Sequence, residues 1–269
     1  MAQLNLIKTG SLHLHNHKML KFEGDINKVE SLLQGQVTSD ITELANKNAQ
    51  LSCILDHKGF IQADFILLRS NDVIYVVIEN SLEVNFRNQL KEFIKFYEVE
   101  IHSCDLSLMG IISAANDDSY QNYIFYKNKQ YKLSLRFDGS REIISDKKLT
   151  ELDWKIANKA LLNFLFSIED INKYRPNEIN YDKSRVSFTK GCYRGQEIVA
   201  RVHHLGVNRR EFVTVIAPIN EKIDTKLKIH GEILELSNVK IFNTHFKRDD
   251  IENKSISKSL KLIRFQDPS

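Results

Sequence analysis

With 269 residues, 42% of them hydrophobic and 27% charged, the chain can bury a large core and has the composition of a soluble globular protein. Its net charge of +3 is spread over interleaved acids and bases, so charge alone does not argue for nucleic acid. The three cysteines, Cys53, Cys104 and Cys192, stand far apart with no Cys-x-x-Cys pair, which excludes a disulfide scaffold, a zinc ribbon and a self-contained cluster ligand set.

That cysteine usage fits a reducing compartment. Residues 1–10 carry neither an apolar signal core nor an arginine-rich amphipathic stretch, and no run reaches the roughly 18 apolar residues of a spanning helix. A cytoplasmic location with no membrane partner is the expectation.

In chain order, residues 12–15 and 19–22 read as short strands. His13, His15 and His17 alternate, so a strand would put three imidazoles on one face, as a metal site or simply as a polar face. Asp25 is placed to cap a helix through Val29, Leu32 and Leu33, closed by Gly35. Residues 51–55, 60–68 and 73–78 read as strands separated by the turns Asp56-His57-Lys58-Gly59 and Asn71-Asp72. Ser81 can cap a helix carrying Val84, Phe86, Leu90, Phe93 and Ile94, and 97–102 resumes as a strand.

A second strand set is expected at 108–113, 123–126, 131–137 and 142–145. A helix capped by Asp146 then runs to about Phe164 and carries Trp154, the only tryptophan. Trp154 is either a core aromatic or a flat surface for stacking a ring ligand. Residues 167–189 are polar and aperiodic, a length of loop that is usually functional or disordered. Past Gly206, stretches at 211–217, 226–229, 233–236, 239–242 and 260–265 suggest a terminal β-barrel or sandwich. Neither a Gly-x-Gly-x-x-Gly nor a Walker motif is present.

The densest chemistry is Lys190-Gly191-Cys192-Tyr193-Arg194-Gly195-Gln196-Glu197. Ile198, Val199, Val202 and Leu205 continue it as one apolar helical stripe, Glu197 and Arg201 form an i,i+4 pair, and Gly206 is a stop signal. This pattern puts Cys192 at a helix start beside Lys190, where dipole and cation favour a thiolate. The bland alternative is a small packed cysteine between glycines that shape the turn.

The motif resembles the Lys-Gly-Cys-Tyr-x-Gly-Gln-Glu signature of the YgfZ/Iba57 family, folate-binding relatives of the glycine-cleavage T-protein. The match extends over Val186-Ser187-Phe188, Val199-Ala200-Arg201 and Asn208-Arg209-Arg210. Upstream it takes in Leu33-Gln34-Gly35-Gln36-Val37-Thr38-Ser39-Asp40 and Asp56-His57-Lys58-Gly59, in family order from about residue 19 to 215.

The resemblance implies an α+β, T-protein-like three-domain ring. Residues 1–45 plus 105–205 would form a discontinuous folate-binding domain, 46–104 an inserted ferredoxin-like α+β domain, and 206–269 a C-terminal small β-barrel. It implies tetrahydrofolate or another folate in a central channel, contacted by Trp154. The family's second tryptophan would fall near His17, where this chain has histidine. Cys192 becomes the functional centre with Lys190 as its cationic neighbour. Gly191 and Gly195 would permit close backbone approach, Tyr193, Gln196 and Glu197 would order the loop, and Arg201 would pair with Glu197. No resident metal is implied, only a transient iron contact at Cys192.

The function implied is a folate-binding accessory role in assembly or repair of iron–sulfur clusters in client enzymes, including tRNA-modifying ones. Its partners would be those clients or cluster carrier proteins. The alternative is a tetrahydrofolate-dependent aminomethyl or one-carbon transferase, which needs a carboxylate at the folate ring; Asp40, Asp56 and Glu197 are candidates. A direct RNA binder using Lys58, Arg209 and Arg210 is the least favoured reading.

Overall fold

The computed structural model describes residues 6–117, 123–138, 147–205, 209–253 and 255–265. The strand expected at 142–145, the Asp146 cap, and Gly206 and Asn208 lie outside the described residues.

The central layer is a five-stranded antiparallel sheet ordered β3-β4-β5-β2-β6, from β2 (His17–Glu23), β3 (Ala49–Leu55), β4 (Ile61–Ser70), β5 (Val73–Glu79) and β6 (Glu100–Cys104). β5 is almost uninterruptedly apolar because both faces are covered there, while the edge strand β6 is polar and largely exposed. Leu20, Leu67, Val76 and Ile78 face one core with α1 (Ile26–Gln36) and α2 (Glu83–Tyr97), while Met19, Leu68 and Val77 face the other. The sheet includes β2, which lies upstream of residue 46, and α1 packs on one of its faces. This membership was invisible in the sequence because the pairing of β2 with β5 and β6 is non-local.

Behind it lies a four-stranded sheet ordered β1-β7-β9-β8, from β1 (Gly10–His13), β7 (Ser107–Ala114), β8 (Tyr123–Lys127) and β9 (Tyr131–Asp138). α3 (Glu151–Ala160) closes this core with Trp154, Ile156 and Ala157. The chain then makes three short 3-10 turns, Ile168–Asp170, Pro176–Glu178 and Tyr181–Lys183, through the stretch expected to be irregular.

α4 (Gln196–Leu205) leads to a third sheet ordered β11-β12-β10-β13, from β10 (Arg210–Pro218), β11 (Ile229–Glu235), β12 (Val239–Lys247) and β13 (Lys261–Ile263), with α5 (Arg248–Glu252) beside it. The sequence suggested two strands around residue 231. Only Ile229 of the first is strand; it opens β11, one bulged strand in which Gly231 at φ 64° absorbs the irregularity without ending the pairing.

Helix caps moved as well. Asp25 caps α1 as expected, accepting from the N–H groups of Asn27 and Lys28, but Gly35 sits inside the helix, which ends at Gln36. Ser81 does not cap α2; it lies in a 3-10 turn, Asn80–Leu82, whose Ser81 N–H is accepted by Glu79. α3 is capped by a Thr150–Asp153 box. Among the described residues, no helix is long and apolar enough to cross a membrane.

Candidate functional site

Three stretches far apart in sequence meet around Lys190. The Thr38 hydroxyl donates to the Arg185 carbonyl at 2.7 Å, and the Ser187 N–H donates to the Thr38 carbonyl at 2.9 Å. The Lys190 ammonium donates to the carbonyls of Val37 and Ser39, at 2.9 and 2.8 Å. Below them Cys53 is buried, its thiol 3.3 Å from the Thr38 hydroxyl and pushed up to about 12 by burial. Lys190 is therefore a tether rather than the expected free cation beside the thiol. Burial brings its ammonium down to about 8, against the opposing pull of Asp40.

The second junction joins the motif to the β3–β4 turn. Asp56 Oδ1 accepts from the N–H groups of Lys58 and Phe60 at 2.9 and 2.8 Å, fixing that turn. Gly195, at φ 83°, packs against it so closely that a Cβ would stand 2.5 Å from the Asp56 carbonyl oxygen. Gly191 differs from the expectation: a Cβ there would meet nothing within 4 Å, so no close approach depends on it.

Cys192 is exposed and free. It precedes α4 by the turn through Tyr193 and Gly195, where Gln196 N–H donates to the Tyr193 carbonyl at 3.2 Å. The expected placement at the helix start is corrected by that turn, since the macrodipole acts within the first turn only. Tyr193 anchors the loop in the core beneath, its ring 5.2 Å from the Lys190 ammonium and its phenol raised by burial. Arg194 is half-buried, 5.9 Å over Phe93, its cation disfavoured by desolvation. Glu197 and Arg201 do pair, at 3.8 Å, but both are exposed and the pair adds little.

Neither Cys192 nor Lys190 lines the main cavity, which has a volume of about 440 Å³. Trp154 and His17 both do, with Phe125, Phe166, Asp64 and Arg185. The Trp154 indole is seated against Gly110 of β7, where a Cβ would fall 2.8 Å from the ring, and it meets Phe125 edge-on at 6.2 Å between centroids. It is at once a core aromatic and a cavity wall. His17 Nδ1 is sealed off without a partner, and desolvation lowers the imidazole despite Glu79, Asp64 and Glu151 nearby.

The cavity's polar wall was missed in the sequence. Arg185, 2% exposed, donates to Asp64 at 2.6 and 3.3 Å and to Asn163 at 2.7 Å, and lies 3.6 Å over the Tyr181 ring. Tyr181 in turn donates to Asp64 at 2.9 Å. The histidine face did not form a metal site: β1 ends at His13, β2 starts at His17, and among the described residues no group of His, Cys, Asp or Glu is arranged for a metal.

The candidate transferase carboxylates are also elsewhere. Asp40 caps a 3-10 turn, Asp56 closes its own turn and Glu197 is exposed on α4. The carboxylates that line the cavity are Asp64, Glu79, Glu151 and Glu232.

This arrangement, three sheets around a cavity, is the fold of a glycine-cleavage aminomethyltransferase. That of Bartonella henselae superposes with a TM-score of 0.65 at 12% identity, covering 91% of this chain and 80% of that one. In sequence, no family model matches. A tRNA-modifying protein YgfZ of Vibrio atlanticus is 27% identical over 223 residues, covering 74% of this chain and 67% of that protein. Another from Photobacterium profundum is 24% identical over 260 residues, covering 88% and 77%. A Vibrio vulnificus relative of the same name is covered over 63% of its length. In sequence the chain is similar to the YgfZ proteins, and in fold to the aminomethyltransferase.

Proposed function

We propose that the chain is a folate-binding accessory protein that supports assembly or repair of iron–sulfur clusters in client enzymes, tRNA-modifying ones among them, through Cys192. The observation that carries the reading is the cavity. Its volume falls within the range of small-ligand sites, and it offers Trp154 and Phe125 for ring contact and a directional polar wall at Asp64 and Arg185. These residues suit a pterin ring, which has a flat π-face and polar edges. Folate, when bound, supplies a carrier for one-carbon units. Trp154, His17, Phe125 and Arg185 would hold it.

The relatives' name, tRNA-modifying protein, supports the client class. In this reading the central sheet with α1 and α2 is the ferredoxin-like insert, the third sheet is the small C-terminal barrel, and the domains ring the cavity. The strand order β4-β5-β2-β6, with β3 added at the edge, is compatible with such an insert.

Cys192, exposed on a loop tethered by Lys190 and anchored by Tyr193, is presented for another protein's thiols or for a cluster as substrate. One thiol needs partner ligands to hold a cluster. A transferase reading is disfavoured because each carboxylate of the cavity wall already has a partner: Asp64 in Arg185 and Tyr181, Glu79 in Ser81, Glu151 in Asn16 and Lys155, and Glu232 in Lys155.

The test is a Cys192→Ala chain in a strain lacking the endogenous protein. It should keep the wild-type melting midpoint and folate-induced quenching of Trp154, yet fail to restore the activity of a cluster-dependent tRNA-modifying enzyme. Full restoration would remove the thiol from the mechanism.

A further inference from the structure

We propose that His17 is the cavity's directional hydrogen-bond donor, held as the Nε2–H tautomer, and that it selects ring ligands with an acceptor on the edge it meets. The identity of that ring rests on the folate reading above.

The backbone fixes the residue first. His17 opens β2 opposite Glu79 of β5, and its N–H donates to the Leu14 carbonyl at 3.2 Å. The imidazole is thereby set in the cavity wall, with Nδ1 sealed from solvent and lacking any partner. A proton on Nδ1 would be a buried donor with nothing to accept it, which proteins rarely tolerate. Of the two ring nitrogens only Nδ1 is sealed and unpartnered, so in a ring that lines the cavity the Nε2 proton is the one a ligand can reach.

Three acids face the ring from the packed elements: Glu79 from β5, Asp64 from β4 and Glu151 from α3. Each already has its own partner. Ser81 holds Glu79, Arg185 and Tyr181 hold Asp64, and Asn16 and Lys155 hold Glu151. Burial outweighs these acids and keeps the ring neutral. Among the described residues no protein acceptor takes the Nε2 proton, so a ligand acceptor is its natural partner.

Trp154 and Phe125 offer faces and edges that accept any flat ring. A fixed N–H discriminates: a site built to bond a polar atom rejects the analogue lacking it. The fitting class is a bicyclic heteroaromatic with a carbonyl or ring-nitrogen acceptor. A wall of tryptophan at position 17 would give contact area without that direction.

Two measurements test this. Selectively ¹⁵N-histidine-labelled protein, with the His17 signals assigned by their loss in His17→Gln, should show the neutral Nε2–H tautomer; the Nδ1–H tautomer overturns the proposal. Tetrahydrofolate titration by Trp154 fluorescence should then show His17→Phe binding about tenfold more weakly, the loss of one hydrogen bond. His17→Gln, whose amide can donate, should recover most of that, with melting midpoints confirming that both variants fold. Unchanged affinity in His17→Phe alongside quenching in wild type removes the role of His17 and leaves the folate reading standing. No saturable quenching in wild type removes the folate reading and this role with it.

Discussion

Two glycines of one motif carry unequal weight, and each does so for a reason visible at atomic distance. Gly195 combines a positive φ of 83° with a Cβ position 2.5 Å from the Asp56 carbonyl oxygen, so both backbone strain and collision oppose any side chain. Gly191 has open space around its Cβ position. Gly195→Ala should therefore destabilise by about 2–4 kcal/mol, from αL strain plus displacement of the β3–β4 turn. Gly191→Ala should lie within about 0.5 kcal/mol of wild type. Urea midpoints with unchanged slopes measure both, and equal midpoints for the two variants would contradict the packing.

The motif's residues were all legible in the sequence, but their duties were only partly so. Lys190 and Cys192 are neighbours in the chain, which invited a cation–thiolate pairing. In space the ammonium is committed to Val37 and Ser39. Sequence proximity carries no information about where a long flexible side chain finds its acceptors.

At the scale of elements, the third sheet is bound to the loop before α4 by a chain of buried imidazoles. Tyr174 hydroxyl lies 2.8 Å from His230 Nδ1, His230 Nε2 lies 2.9 Å from His245 Nδ1, and His245 Nε2 lies 2.6 Å from the Glu178 carbonyl. The terminal carbonyl can only accept, which fixes every proton. His245 donates to Glu178, His230 donates to His245, and Tyr174 donates to His230, with both imidazoles neutral. Desolvation brings His230 down to about 3 and lowers His245 as well.

The sign follows. In the unfolded chain both imidazoles protonate near pH 6.5, whereas the native His230 refuses its proton until about pH 3. Between those values the unfolded state binds more protons, so stability falls as pH falls. At pH 4.5 His230 alone should cost on the order of 3 kcal/mol relative to pH 7. Urea midpoints of wild type should drop more steeply over that range than those of His230→Gln. Parallel pH profiles would show that the latch does not titrate.

None of this latch could be read from the chain, because its members are contributed by a loop and two strands whose register is set by distant partners. Most strands and α1 were readable, since their signals are local: period-2 apolar runs, an aspartate cap, turn dipeptides. The same limit hid Asp64 and Arg185, separated by 121 positions yet forming the polar wall of the cavity.

For the whole molecule, the cavity is where the layers converge. Its walls take His13 from β1, Phe65 and Val77 from the central sheet, Phe125 from β8, Trp154 from α3 and Glu232 from the third sheet. Lys155 on α3 reaches Glu232 on β11 at 3.0 Å, and both line the cavity. A ligand seated there touches every layer and none of them in the unfolded chain, so its binding energy should appear as global stability. At a concentration 100 times the dissociation constant that amounts to about 2.7 kcal/mol. For a chain of this size, that corresponds to a rise of roughly 2–4 °C in the melting midpoint. Scanning calorimetry with increasing tetrahydrofolate should show one transition moving upward with the logarithm of ligand concentration. Trp154→Phe should shift less at each concentration, because it keeps a ring against Gly110 but loses the indole's reach into the cavity. Removing Cys192, which lies outside the cavity, should leave the wild-type shift intact. A midpoint insensitive to folate in all three chains would assign the cavity to another ligand, and a shift lost in Cys192→Ala alone would tie thiol and cavity into one site.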